Sequence, residues 1–365
     1  MATPRTTIWE LDEHSKGKHI VFKRYLQAWL AILGTTHARI AIIDGFAGPG
    51  EYTGGEEGSP IIALRALADH TAQITAHVSF WFIEADPDRA EHLEKLIAPL
   101  RESLTGRATI TVSRGTFDEQ LTGVLTDAAA KKLSLIPAFV MVDPFGVSHK
   151  PMSVISQILK NQKSEVYISF MTDWIDRFKQ EPGFEHHLDA LFGSLDWRHS
   201  MELATPKERR AFLFPLYADC LKKAGAQYVV HFDLRRGATV VYSIFFATGS
   251  DVGCDKMKEA IWKADPAAGS AFIPANESAL DLFTKDVSRL EQEIVAYLKQ
   301  SPEWVAIWRL ESWARSDRTH YHSGQLKPAL KSLEKKGAIE VRPESRKIRF
   351  TFPKGTVLRL AASAA

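Results

Sequence analysis

The 365-residue sequence predicts an α/β protein, with a doubly wound, largely parallel sheet that ends in an antiparallel hairpin and a small helical module after it. Three observations predict this. Short apolar, β-branched runs alternate with helical stretches from residue 39 to residue 171, the pattern of strands joined by crossover helices. The first run, Arg39 to Asp44, ends in an acid and a turn carrying Gly45, Gly48 and Gly50, where backbone can approach a ligand closely. From residue 286 onward 15 Lys and Arg stand against 9 Asp and Glu, although the whole chain is only +2. A basic module therefore follows a mildly acidic one, which suits contact with nucleic acid and equally a plain solvated surface.

Composition narrows the class. With 45% apolar residues the chain can bury a sizeable core, and its two cysteines, Cys220 and Cys254, are too few for a disulfide framework or a Cys-rich zinc site. Both read as small buried residues in a reducing compartment. Met1 to Lys18 has no apolar core, and no uncharged stretch approaches the ~20 apolar residues that span a bilayer, so a cytoplasmic protein is expected.

Residues 1–38 form a polar lead, with Trp9 its first aromatic residue, and then a helix with Phe22, Leu26, Trp29, Leu30 and Leu33 at helical spacing, closed by Gly34. The Rossmann-like domain is placed at 39–264. After the glycine turn, Ser59 is placed to cap a helix that Pro60 opens. Strands follow at Val78–Ile83, Ala108–Val112, Pro137–Val142 and Glu165–Met171, separated by helices at Asp88–Leu100, Phe117–Lys132 and Pro151–Lys160. A mainly helical insertion, 173–206, interrupts the alternation and would shape a substrate pocket. Gln227–Leu234 and Thr239–Ala247 are joined too closely for anything but an antiparallel pair. A helix at Asp255–Lys263 precedes a linker rich in Pro, Ala and Gly, placed at 265–285.

Residues 286–360 read as a winged helix-turn-helix: helices at Val287–Gln300, Ala306–Ala314 and Gln325–Lys336, then a hairpin of Ala338–Arg342 and Lys347–Phe352. Lys327, Lys331 and Lys335 recur on one helix face, and Arg342, Arg346, Lys347 and Arg349 lie on the expected wing. These are the candidate phosphate contacts. His320, Tyr321, His322 and Gln325 are the candidates for reaching base edges.

The glycine turn lacks the G-x-G-x-x-G of dinucleotide binding, its acid precedes the glycines, and no Walker phosphate loop is present. Asp44-Gly45-Phe46-Ala47-Gly48-Pro49-Gly50 is instead similar to the first motif of class I S-adenosylmethionine-dependent methyltransferases. That resemblance implies a turn lying under the cofactor and an acid, Asp44, holding its methionine end. Glu84, at the end of the second strand, is the candidate for the ribose hydroxyls, with Asp86 competing, and Asp118 is a candidate near the adenine. Asp143-Pro144-Phe145-Gly146 resembles the [Asp/Asn/Ser]-Pro-Pro-aromatic motif of enzymes that methylate exocyclic amino groups of bases, and the Asp-Pro-Phe-Gly of transfer-RNA guanine-N2 methyltransferases. The resemblance implies that Asp143 and the Pro144 carbonyl accept from the target NH2 while Phe145 stacks on the base.

The chain as a whole resembles the three-Cys-motif partner proteins. The resemblance rests on His14-Ser-Lys16-Gly-Lys18-His19, Tyr25-Leu-Gln-Ala-Trp29, Ile43 to Gly50, Gly58-Ser-Pro60, Asp143 to Gly146 and Lys256-Met-Lys-Glu-Ala-Ile-Trp262. It implies a class I methyltransferase fold, S-adenosylmethionine as cofactor and a three-Cys-motif protein as partner. No metal is expected. The leading expectation is methylation of an exocyclic amino group, adenine N6 or guanine N2, in DNA or RNA. A small-molecule or protein substrate, or a catalytically silent accessory, remains open. His14, Lys16, Lys18 and His19 are expected to close over the cofactor or to contact phosphates.

Overall fold

The computed structural model describes residues 6–171, 175, 183–236, 239–266, 269–272, 288–301 and 303–362. Strands β1 (Arg39–Asp44), β2 (His77–Glu84), β3 (Ala108–Arg114), β4 (Ala138–Val142) and β5 (Glu165–Phe170) are parallel. Strands β6 (Tyr228–Arg236) and β7 (Thr239–Thr248) form the hairpin, with β7 antiparallel to β5. The order across the sheet is β3-β2-β1-β4-β5-β7-β6. It reverses between β1 and β4, which is where open α/β sheets leave a crevice beyond their carboxyl ends. Asp44 is in register with Met141, so Asp143, two residues further on, emerges at the same edge.

Period-two alternation in β1 feeds two cores: Ile40 and Ile42 enter one, Ala41 and Ile43 the other. The first core lies under helices α1 (Glu13–Leu33), α2 (Ser59–Ala68), α3 (Pro87–Ser103) and, across the hairpin, α8 (Asp251–Ala264). The second lies under α4 (Phe117–Ala130), α5 (Met152–Leu159), α6 (Phe184–Phe192) and α7 (Pro206–Lys223). Covered on both faces, β4 and β5 are buried throughout, and each large apolar side chain there contributes about 1.5–3 kcal/mol. Helix α1 turns Phe22, Leu26, Trp29 and Leu30 inward and is tied to β5 by the Tyr25 hydroxyl, which donates to buried Glu165 (2.5 Å). Cys220 and Cys254 are free and buried, as expected.

Two expectations are corrected here. Gly58, not Ser59, is the residue before α2, and no side chain caps that helix. Within the expected linker, Ala271–Phe272 forms β8, which pairs with β6 and extends the sheet to eight strands. Residues 273–287 lie outside the described residues. The Phe272 ring packs so closely on Gly17 of α1 that a Cβ there would sit 2.2 Å from it.

The C-terminal residues contain α9 (Ser288–Lys299), β9 (Val305–Ala306), α10 (Ile307–Arg315), α11 (Leu326–Lys335), β10 (Ile339–Val341) and β11 (Val357–Leu360). The strands form a three-stranded antiparallel sheet in the order β10-β11-β9. The partner of β10 is therefore Val357–Leu360, not Lys347–Phe352. The earlier stretch has no continuous buried face, since Ile348 is 67% exposed, whereas Leu358 is fully buried in the core of this module. Residues 343–356 make a long connection instead.

The module is docked on α8. Trp262 stacks on Tyr321 (centroids 5.2 Å apart) and donates to the His320 carbonyl (2.8 Å). Buried Lys258 donates to the carbonyls of Ala314, Ser316 and Thr319, and Asp255 accepts from the Ser323 amide and hydroxyl (2.7 and 2.6 Å). The Lys256–Trp262 stretch is thus a docking face for the C-terminal module. Trp262→Ala is expected to cost about 3–5 kcal/mol, read as a lower urea midpoint of the full chain, and an unchanged midpoint would contradict the docking.

Candidate active site

The crevice at the strand reversal is a cavity of about 350 Å3 that collects the glycine turn, Glu84, the Asp143 motif and the N-terminal lead. Its floor is the turn after β1. Gly48 and Gly50 have φ of 63° and 88°, the left-handed region that favours glycine. At Gly45 the reason is space: a Cβ would lie 2.3 Å from the buried Phe117 ring, which also packs against Phe46 (5.9 Å). Ala47 is buried, and its amide bonds the Ile83 carbonyl at 2.9 Å.

Asp44 is buried. Its Oδ1 accepts from the Phe46 amide (3.1 Å), while Oδ2 is buried without a hydrogen-bond partner. Burial pushes this carboxyl up to about 6, against the opposing pull of the nearby Ser59 hydroxyl and the Phe46 amide. Glu84 accepts from the Gly48 amide through Oε2 and from the Asp86 amide through Oε1, both at 2.8 Å, so it pins the turn to the end of β2. Each oxygen keeps a lone pair for a further donor. Asp86 caps α3, accepting from the Asp88 and Arg89 amides at 3.0 and 3.1 Å. Both acids line the cavity, Asp86 holding the start of α3 and Glu84 tying the turn to β2.

Asp143, Pro144, Phe145 and Gly146 all line the cavity. One oxygen of Asp143 accepts from the Ser169 hydroxyl on β5 and the other from the Lys18 ammonium on α1. Burial alone would raise this carboxyl, but Lys18 and Ser169 more than reverse that and hold it below the usual range. Lys150, fully buried behind them, donates to the Ser169 carbonyl (2.7 Å), and burial pushes it down to about 7.

The N-terminal lead forms the roof. Trp9 packs edge-on against Phe145 and Tyr52 (5.4 and 5.8 Å), Arg89 lies over its indole (5.0 Å), and the Thr53 amide bonds its carbonyl (2.9 Å). His19 is buried in the cavity wall, and its imidazole is pushed down to about 3 by burial first and then by Lys18. Lys16 bonds Glu13 near the surface, and the side chain of His14 lies outside the described residues.

Asp118 is not in this cavity. It pairs with His149 (3.1 Å) in a smaller cleft that also holds His186 and His187 of α6, so the described part of the 173–206 insertion borders that cleft. Phe117 takes the position beside the turn. Residues 172–174 and 176–182 lie outside the described residues. No metal-binding cluster exists among the described residues.

In the C-terminal module Lys327, Lys331 and Lys347 are exposed around a groove of about 1040 Å3. Lys335 faces the Phe350 ring and Arg342 the Trp304 ring (5.9 and 4.8 Å). Arg346 is corrected: it is buried in a bidentate ion pair with Glu334 and holds the connection to α11. Tyr321 is buried on Trp262, and the Gln325 side chain accepts from the His322 amide (3.0 Å), so these two are structural as well.

Sequence reasoning passed over Ser169, Lys150, Tyr52 and Arg89. Only Ser169 left a signal, a hydroxyl in the otherwise apolar upper half of a buried strand next to β4.

The fold is a doubly wound α/β sheet with a cavity at its strand reversal. No family model matches the chain, and no curated protein matches it. Among solved structures it is similar to Trm1 from Pyrococcus horikoshii in complex with S-adenosyl-L-methionine (14% identity over 99% of this chain and 94% of that one, TM-score 0.38). It is also similar to yhhF from Escherichia coli (22%, 39% and 64%, 0.25) and to the DszA carbon methyltransferase (16%, 57% and 47%, 0.34). The chain spans less than two thirds of the length of the latter two. Among the described residues no helix is long and apolar enough to cross a membrane.

Proposed function

We propose that the chain is an S-adenosylmethionine-dependent methyltransferase acting on an exocyclic amino group of a nucleic-acid base, adenine N6 or guanine N2. One observation carries the reading: a single cavity joins the Asp44 glycine turn to Asp143-Pro-Phe-Gly at adjacent strand ends. The residues fit the cofactor. Buried, unpartnered Asp44 Oδ2 would accept from its ammonium, the amides and open backbone of Gly45 to Gly50 would lie along it, and Glu84 would take ribose hydroxyls through its remaining lone pairs. When bound, the cofactor would supply an electrophilic methyl group on sulfur. Asp143 and the Pro144 carbonyl would accept from the amino N–H groups and aim the nitrogen lone pair, and Phe145 would stack on the base once the Trp9 roof yields.

The C-terminal helices and three-stranded sheet would act as a winged helix that carries the nucleic acid, with Lys327, Lys331 and Lys347 on phosphates. Charge reversal at Lys331 and Lys347 is expected to weaken nucleic-acid binding and to flatten its log-log salt slope by about one each, and unchanged binding would remove this face from the account. Arg346→Glu would instead destabilise the fold through Glu334. The second reading is a catalytically silent accessory of a three-Cys-motif partner. It is favoured by Lys18 and Ser169 already occupying both oxygens of Asp143. A calorimetric cofactor titration followed by labelled-methyl transfer to DNA and RNA separates the two: binding with transfer supports the enzyme, and tight binding without transfer to any nucleic acid supports the accessory or a small-molecule substrate.

A further inference from the structure

We infer that Lys18 is a positioning residue for the transfer reaction: from the first turns of α1 it holds the Asp143 carboxylate in the acceptor-only state that an amino group requires. The consequence for transfer rests on the methyltransferase reading, while the hold on Asp143 is measurable without it.

The geometry is built to bring Lys18 there. The turn of α1 that carries it is fastened to the sheet at three points. The Tyr167 hydroxyl donates to the Lys18 carbonyl (3.2 Å), the Ser15 and Tyr242 hydroxyls bond each other (3.2 Å), and Phe272 fills the space that the missing Cβ of Gly17 leaves. Lys18 is only 6% exposed, and its ammonium is directed at Asp143. The Ser169 hydroxyl holds the other carboxylate oxygen. With both bonds made, the carboxylate is fixed in orientation, and each oxygen keeps a second lone pair for an incoming N–H.

The remaining groups that face Asp143 cannot do this. From α1 there is His19, which is held neutral, and from β1 Asp44, whose charge is of the same sign. Tyr52 from the loop after β1, Tyr167 from β5 and Tyr242 from β7 are all pushed upward and uncharged. Among the described residues Lys150 is the one other lysine beside Asp143; it is bonded to the Ser169 carbonyl, and burial pushes it down to about 7. Without Lys18, the burial that raises the Asp143 carboxyl would lose its largest opponent, and Asp143 would take up a proton at a higher pH. A protonated carboxyl points an O–H donor at the amino nitrogen. It would engage the lone pair that must attack the methyl group, which is the wrong polarity for orientation.

The test uses the full chain with 13C-carboxyl aspartate, the Asp143 resonance being identified by its loss in Asp143→Ala. In the wild type Asp143 is expected to titrate below the ordinary carboxylate range. In Lys18→Met its titration is expected to move upward by about one pH unit or more, and in Lys18→Arg to return most of the way. In methyl transfer the acid limb of kcat/KM should move with it. With cofactor saturating, Lys18→Met would then lose more activity at pH 5 than at pH 8, which loss of packing alone would not produce. If Lys18→Met does not fold, Lys18→Gln makes the same comparison. An Asp143 titration unmoved by loss of Lys18 overturns the inference. If the titration moves but the wild type transfers no methyl group, the hold stands and the methyltransferase reading fails.

Discussion

Asp143→Ala is expected to lower methyl transfer by about 10²–10³-fold while S-adenosylmethionine still binds, because the substitution removes the group that orients the amino nitrogen and leaves the Asp44 turn intact. The variant also strands Lys18. That ammonium is buried and paired with Asp143, and an uncompensated buried charge costs about 3–5 kcal/mol. Stability and catalysis therefore have to be separated. The double variant Lys18→Met with Asp143→Ala removes both charges and should recover most of the lost stability without recovering transfer. Single-turnover rates and urea midpoints on the three variants check this, and a double variant that regains activity with its stability would assign Asp143 a structural role only.

Cofactor affinity is expected to rise with pH through about 6. Asp44 is protonated below that value in the free chain, since burial holds it above the ordinary 3.8, and only the carboxylate can receive an ammonium at Oδ2. Below pH 6 binding must release the proton, so affinity should fall by about tenfold per pH unit, and Asp44→Asn should bind weakly with a flat profile. The same shift acts on folding. Between pH 3.8 and about 6 the unfolded chain has lost this proton and the folded chain has kept it, so stability falls as pH rises through that window. The total is about 3 kcal/mol, and it is present in full at lower pH. Bound cofactor should remove much of it. Titration calorimetry in buffers of different ionisation enthalpy reads the released proton directly. Proton-neutral binding at pH 5 would contradict the assignment of Asp44.

The sheet was legible because its signals are local. β-branched runs at crossover spacing and the short hairpin connection define the parallel strands and the antiparallel end, and the acid-then-glycine order marks the crevice. Asp143 was legible for the same reason, as a motif at the end of a buried strand. What brings Lys18 to it is long-range: 125 residues separate them, and the contact depends on Gly17 accepting Phe272 and on Tyr167 reaching the helix backbone. No local period encodes that. The strand expected at 347–352 shows the opposite failure: it is the run next to the turn at Pro343, but Ile348 is exposed, and the strand that pairs with Ile339–Val341 is the more distant Val357–Leu360. Arg346 was read as a phosphate contact from charge and position alone, and Glu334, 12 residues away on α11, claims it.

The most direct measurement is mass spectrometry of nucleosides digested from DNA and RNA that have been incubated with the full chain and methyl-labelled S-adenosylmethionine. Label is expected on an exocyclic nitrogen, adenine N6 or guanine N2, and it disappears with Asp143→Ala. Cofactor bound tightly with no label on any base, or label on a ring atom or ribose oxygen that persists in Asp143→Ala, would contradict it.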